Sequence, residues 1–165
     1  MSHQTDVIII RGAPSVGKTE LSKALAKHYP QGARVEVDVL RKMVISVNWK
    51  DQAEHIKLLA LAAQTVADFA RAGFCPVIVV DTFSGDKVDT FLARLKDLDH
   101  VLRVRLFGLH ALPDVLASRL AARPAGEFKD FEIANRLNEE TKIDTSTNCP
   151  LELCRKVIGL IESIE

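Results

Sequence analysis

The spacing of apolar residues changes repeatedly along the chain. Val7, Ile8, Ile9 and Ile10 form an unbroken β-branched run ending at Gly12, the pattern of a strand buried on both faces of a parallel sheet. From Lys18 the spacing turns helical, with Leu21, Ala24 and Leu25 on one side, Lys23 and Lys27 on the other, and Tyr29 and Pro30 as the stop. Residues 34–37 predict a short second strand. Ile56, Leu59, Ala63, Val66 and Ala70 then mark the apolar stripe of a long helix closing at Gly73. Residues 77–80 predict a third strand ended by Asp81, Val88, Leu92 and Leu95 another helix, and residues 101–109 a fourth strand. Pro113 opens a helix through Leu116 and Leu120 that Pro124 and Gly126 break, and a charged stretch runs on to Glu140. Ile143 and Asp144 predict a brief fifth strand, and Pro150 opens a last helix with Leu153, Val157, Leu160 and Ile161 on its apolar side.

Strands alternating with helices predict an α/β architecture: a five-stranded parallel sheet with helices on both faces. The chain has 165 residues, 47% of them hydrophobic. At ~100 to 200 residues per domain that is one domain, residues 1–165, with a core of its own. Ligands of such sheets bind beyond the carboxyl ends of the strands. The residues following strands one to three, namely a glycine loop, Asp38 and Asp81, are therefore expected at one rim.

Charge narrows the partners. Lys plus Arg and Asp plus Glu each number 22, so no global basic field attracts a nucleic-acid backbone. The first fifty residues hold eight basic and four acidic side chains, so an anion site is expected to lean on them. The apolar runs fall far below the ~18 residues of a membrane span. Met1 to Asp6 is polar and has no signal-peptide pattern, which predicts a cytoplasmic chain. Cys75, Cys149 and Cys154 are odd in number and lack zinc-ligand pairing, so reduced, ordinary thiols are expected, with Cys75 at the start of a buried strand. The five histidines are scattered, and none is assigned to metal.

Gly12, Ala13, Pro14, Ser15, Val16, Gly17, Lys18 and Thr19 satisfy the phosphate-loop pattern of glycine, four residues, glycine, lysine and serine or threonine. The string follows a buried strand and opens a helix, so backbone N–H groups and the positive helix end are expected to cradle the phosphates of a nucleoside triphosphate, ATP above all. The fold expected from it is the three-layer P-loop NTPase fold. Lys18 is expected on the β and γ phosphates and the Thr19 hydroxyl on magnesium.

Asp38 falls where an acceptor hydroxyl can lie in line with the γ phosphate, and Arg41, one helical turn on, can hold an anionic group. The other reading is that Asp38 caps a short helix and Arg41 is solvated. Asp81 ends a buried strand, with its carboxylate near magnesium or the acceptor, or it merely forms a turn; Thr82 follows as a polar contact. Arg119 and Arg123 share a helix face before the break at Pro124. They are either solvated or carried by a lid, residues 119–136, onto the phosphates, with Lys129 and Arg136 as weaker candidates.

Taken together, the phosphate loop, Asp38 and Arg41, Asp81 and Thr82, and Arg119 and Arg123 resemble the P-loop kinase superfamily over nearly the whole chain. The pattern is similar to the group of small kinases containing 5′ polynucleotide kinases, zeta-toxins and chloramphenicol phosphotransferases. The resemblance implies that Asp38 activates the acceptor hydroxyl. In polynucleotide kinases the arginine at the position of Arg41 contacts an acceptor phosphate, which implies an anionic acceptor. Those enzymes follow aspartate and threonine with asparagine, where this chain has Phe83. Shikimate kinases are similar in length and topology, but Glu36 and Asp38 only partly echo their paired acids and no triple glycine follows strand three. Residues 143–146 look like the family's last strand and the loop beside the adenine.

The leading expectation is an ATP- and magnesium-dependent kinase acting on a hydroxyl of a small metabolite, antibiotic or nucleotide-like compound. A polynucleotide 5′-hydroxyl kinase and an ATP-binding regulatory module without phosphate transfer stay open beside it.

Overall fold

The computed structural model describes residues 5–122 and 140–163. Within them the order is β1 (Asp6–Gly12), α1 (Lys18–His28), β2 (Ala33–Glu36), α2 (Val37–Lys42), α3 (Gln52–Arg71), β3 (Val77–Val80), α4 (Lys87–Leu98), β4 (Arg103–His110), α5 (Pro113–Ala121), β5 (Thr141–Asp144) and α6 (Pro150–Glu162). The strands form one five-stranded sheet in the order β2-β3-β1-β4-β5, and every pairing is parallel. The α/β expectation therefore stands. No described helix is long and apolar enough to cross a membrane.

Strand β1 shows why the sheet is buried on both sides. Val7 and Ile9 join one core with Leu59, Ala63 and Val66 of α3 and Val88, Phe91 and Leu95 of α4. Ile8 and Ile10 join the other with Leu21 and Leu25 of α1, Leu116 of α5 and Leu153, Val157 and Ile161 of α6. All four β1 side chains are fully buried, each contributing roughly 1.5–3 kcal/mol relative to exposure. Such a strand cannot slip by one residue without exchanging faces.

Several boundaries differ from the sequence expectation for identifiable reasons. Strand β4 starts at Arg103 rather than Val101, which is exposed in the preceding turn. Helix α3 starts earlier, at Gln52, because Asp51 caps it: its carboxylate accepts from the Glu54 N–H at 3.1 Å. Ile56, expected on the buried stripe of that helix, is half exposed, and His55 takes the inward position instead. Asp38 stands inside α2, in its first turn, not at the end of β2. Cys75 is exposed, as is Cys149, while Cys154 is buried in the α6 core; all three are free thiols.

Candidate active site

The phosphate loop joins β1 to α1 at the carboxyl rim of the sheet. Gly12 is required by crowding: a Cβ there would stand 2.6 Å from the Leu109 carbonyl oxygen and 2.8 Å from Val16. Gly17 sits at φ 108°, a left-handed conformation, and leaves the start of α1 without a side-chain cap. Its first-turn N–H groups therefore point outward with the positive end of the helix dipole. Ser15 also has a positive φ, 66°, and its buried hydroxyl has no hydrogen-bond partner. Lys18 Nζ curls onto the loop, donating to the carbonyls of Gly12 at 2.7 Å and Ala13 at 2.8 Å, and Thr19 is exposed beside it. An orphaned hydroxyl, uncapped amides and a lysine over the loop fit a polyphosphate.

A second part of the rim is assembled from α2, α3 and the β3–α4 junction. Asp38 is open to solvent at the rim, yet partial desolvation raises its carboxyl pKa above the ordinary range. The Asp81 carboxylate raises it further, while Arg41, Lys18 and His55 oppose the rise. These influences place the two acids and three basic side chains in one electrostatic neighbourhood.

Asp81 is buried at the end of β3, and its Oδ2 accepts from the Phe83 N–H at 2.9 Å. Phe83, at φ 48°, is fully buried with its ring 5.0 Å from that of Phe91. A phenylalanine at positive φ is strained, and burying the ring offsets that strain, so the departure from asparagine noted in the sequence fixes the turn that aims Asp81. Thr82 lies half-buried between them.

Two residues at this rim escaped the sequence reading. His55 is buried, with Nε2 3.4 Å from Asp81 Oδ2 in a geometry short of a hydrogen bond. Its Nδ1 lies 3.1 Å from Lys87 Nζ. An ammonium only donates, so Nδ1 accepts and the ring proton belongs on Nε2, facing Asp81. Lys87 also contacts Gln52 Oε1 and, at 3.3 Å, Ser84 Oγ. Desolvation lowers its pKa; Asp81 raises it and Arg41 lowers it further. The signals were present: His55 keeps the helical spacing of the α3 stripe, and Lys87 is a cation at a helix start, where anions are favoured.

Arg41 is buried rather than solvated. Its guanidinium lies 4.6 Å from the Trp49 ring centroid and donates to the Asn48 and Trp49 carbonyls, and its Nε is buried without a partner. Glu36 pairs with Arg34, so it is no second acid beside Asp38.

On the opposite flank, Arg119 lies against the phosphate loop with its donors engaged. Its contacts are Thr145 O at 2.7 Å, Thr145 Oγ1 at 3.3 Å and the Val16 carbonyl at 3.4 Å. Thr145 itself donates to the Val16 carbonyl at 2.7 Å, so the loop after β5 packs on the phosphate loop. Arg123, Lys129, Arg136 and the rest of the segment expected as a lid lie outside the described residues. Arg11, buried at the end of β1, forms a bidentate pair with Glu140, both bonds 2.7 Å, across Gly108. A cavity of about 180 Å³ opens beside them on the β4–β5 side of Gly12 and Ala13, away from Asp38.

The same fold recurs in solved structures. The APS kinase of Mycobacterium tuberculosis, in complex with AMPPNP and APS, superposes with a TM-score of 0.78 at 15% identity, over 96% of this chain and 98% of that one. The tunicamycin resistance protein of Deinococcus radiodurans gives 0.71 at 22% identity over 95% of each chain. A gluconokinase from Sinorhizobium meliloti gives 0.66 at 19% identity, over 97% of this chain and 94% of that one. At these identities the likeness shows the fold, that of small P-loop kinases. No curated protein matches the chain in sequence. A family model described as an AAA domain does match, over residues 7–141, from the first strand through the phosphate loop and Asp38 to the start of β5, and by that match the chain belongs to the AAA_33 family.

Proposed function

We propose that the protein is an ATP-dependent kinase that transfers the γ-phosphate to a hydroxyl of a small-molecule acceptor. The observation that carries this reading is Asp38. Its carboxylate stands in the field of Lys18 on the phosphate loop, and its pKa is raised by desolvation and by Asp81. Nucleotide binding alone has no use for a solvent-facing acid kept protonation-prone by partial desolvation and a second carboxylate. A carboxylate of raised basicity is suited to orient a hydroxyl and take its proton as the new O–P bond forms.

The residues divide the work by position. Residues 12–19 hold the triphosphate through backbone N–H groups, with Lys18 leaving the Gly12 and Ala13 carbonyls for the β and γ phosphates. Thr19 and Asp81 would hold the magnesium ion, which supplies positive charge to the transferring phosphoryl group. Among the described residues no group of three or more His, Cys, Asp or Glu side chains is arranged for a metal. A magnesium ion beside a triphosphate is held mainly by phosphates and water with one or two protein oxygens. Arg41 and Thr82 face the acceptor, Arg41 holding an anionic group. Arg119 and Arg123 serve the phosphates from the α5 side, Arg119 after exchanging its contacts to Thr145.

Radiolabelled ATP offered with hydroxyl metabolites, nucleosides, antibiotics and 5′-hydroxyl oligonucleotides tests the reading. Label transferred to a small hydroxyl compound is the expected result. Label on the oligonucleotides alone would establish a polynucleotide kinase, and ATP binding without transfer to any acceptor a regulatory module.

A further inference from the structure

Asp81 has two donors beside the same carboxylate oxygen, one engaged and one not yet. Its Oδ2 accepts from the Phe83 N–H at 2.9 Å and lies 3.4 Å from His55 Nε2. Oδ1 makes no hydrogen bond among the described residues, so one oxygen is anchored in the protein and the other is left for a different partner. His55 is 6% exposed, and its Nε2 is buried with no hydrogen-bond partner. A buried ring nitrogen left unpaired is costly and asks for a functional reason. The separation from Oδ2 exceeds the usual N–H···O range of about 2.7–3.2 Å by little, so a small turn of the ring or the carboxylate closes it.

The other ring nitrogen decides where the proton sits. Lys87 Nζ, 3.1 Å from Nδ1, only donates, and it is itself steadied by Gln52 Oε1 and by Ser84 Oγ at 3.3 Å. A doubly protonated ring would set an N–H against that ammonium. The arrangement therefore selects the neutral ring with its proton on Nε2, the one tautomer that can donate to Asp81. Lys87 opens α4, where a cation opposes the helix dipole, so α4 itself gains nothing from its charge.

We propose that His55 is a positioning residue for Asp81: its Nε2–H, in the tautomer fixed by Lys87, joins the Phe83 N–H in holding Oδ2 and leaves Oδ1 to the magnesium ion. This rests on the assignment of Asp81 to magnesium in the kinase reading and deepens it. Outer groups that donate to a metal-binding carboxylate set its orientation, and losing one commonly costs about 10- to 100-fold in metal affinity.

The test reads the metal without an acceptor. Full-length protein is titrated calorimetrically with AMPPNP in magnesium and again in EDTA, and the ratio of the two affinities is the gain due to the ion. His55→Leu removes the donor. It is expected to match the wild type in EDTA and to lose about threefold to tenfold of the gain, the low end of such effects because phosphates hold most of the ion. His55→Gln, whose amide offers both a donor and an acceptor, should recover most of it. Lys87→Met frees the ring proton to move to Nδ1 and should lower the gain less than His55→Leu does. The double variant should be no worse than His55→Leu alone, because Lys87 acts through the ring.

No gain in the wild type, or the same gain in wild type and His55→Leu, overturns the proposal. Equal losses in magnesium and in EDTA make His55 a structural residue and overturn it too. Should His55→Leu melt too low to be titrated, an unchanged gain in Lys87→Met overturns it instead. Asp81→Asn separates the proposal from the reading beneath it. A reduced gain there, with a wild-type gain in His55→Leu, overturns the positioning role alone. A wild-type gain in both variants removes Asp81 from the metal and the positioning role with it. Loss of the gain in both, with no phosphate transferred to any hydroxyl, removes the kinase and keeps His55 behind Asp81.

Discussion

The two halves of the rim are built differently. The phosphate side is eight consecutive residues between β1 and α1, and its working parts are backbone amides, two glycines and one lysine. The side proposed for the acceptor draws Asp38 and Arg41 from α2, His55 from α3, Asp81 from the end of β3 and Lys87 from the start of α4. The first recognises a shape common to nucleoside triphosphates, so it can be local and backbone-made. The second, on the proposed kinase reading, must fit one acceptor, and side chains from distant segments are brought together there by the fold. The sheet order β2-β3-β1 does this, setting the ends of β2 and β3 on one flank of the phosphate loop.

If the acceptor side performs the chemistry and the phosphate side the binding, one substitution should split them most widely. Asp38→Asn is expected to keep ATP affinity and to lower single-turnover transfer at saturating ATP by roughly 10² to 10⁴, the range of general-base assistance. Asparagine matches aspartate in size, and Asp38 lies in the first turn of α2 with Glu36 at the cap position, so a structural role would leave the rate close to wild type. That outcome would erase the difference between the two sides.

Lys18→Ala probes the other half. Losing a charge-assisted contact to phosphate should weaken ATP binding by about tenfold to a hundredfold. Lys23→Ala should change it little, because Lys23 is exposed and pairs with Glu20 at 3.4 Å. Calorimetry on the two variants decides, and equal losses would mean that bulk charge rather than loop geometry holds the nucleotide.

The same contrast governs what the sequence disclosed. The α/β class, the phosphate loop and β3 at Val77–Val80 could be read directly, because each is specified by neighbours in the chain. Residues 12–19 carry their context with them, a buried strand before and a helix after. Asp38 and Asp81 were legible because strand ends converge in a parallel sheet. His55 and Lys87 were not, since their meaning depends on a contact spanning 32 residues between α3 and α4. The inward turn of His55 displaced Ile56 from the expected stripe, and the cap at Asp51 that sets the α3 register is a short-range signal that the stripe alone did not show. Arg11 and Glu140 belong with the illegible set: a buried ion pair 129 residues apart leaves no trace in local pattern.

The smallest effect expected is also the most direct reading of Asp38's surroundings. Its folded pKa is raised, by desolvation first and Asp81 second, above the unfolded value. The folded chain therefore holds this proton more tightly than the unfolded chain does. Stability from this group is greatest below the ordinary carboxylate range, and it falls as pH rises from the unfolded pKa through the folded one. Asp38→Asn carries no charge and escapes that loss. The melting temperature of Asp38→Asn minus that of the wild type should thus increase with pH across this window and level off above it. Other carboxylates titrate in both proteins and largely cancel in the difference, which makes the slope specific to this residue. A difference that decreases with pH would mean that Arg41, Lys18 and His55 outweigh desolvation and Asp81. Asp38 would then be a stabilised anion with little appetite for a hydroxyl proton, and the division of labour between the two sides of the rim would have to be drawn elsewhere.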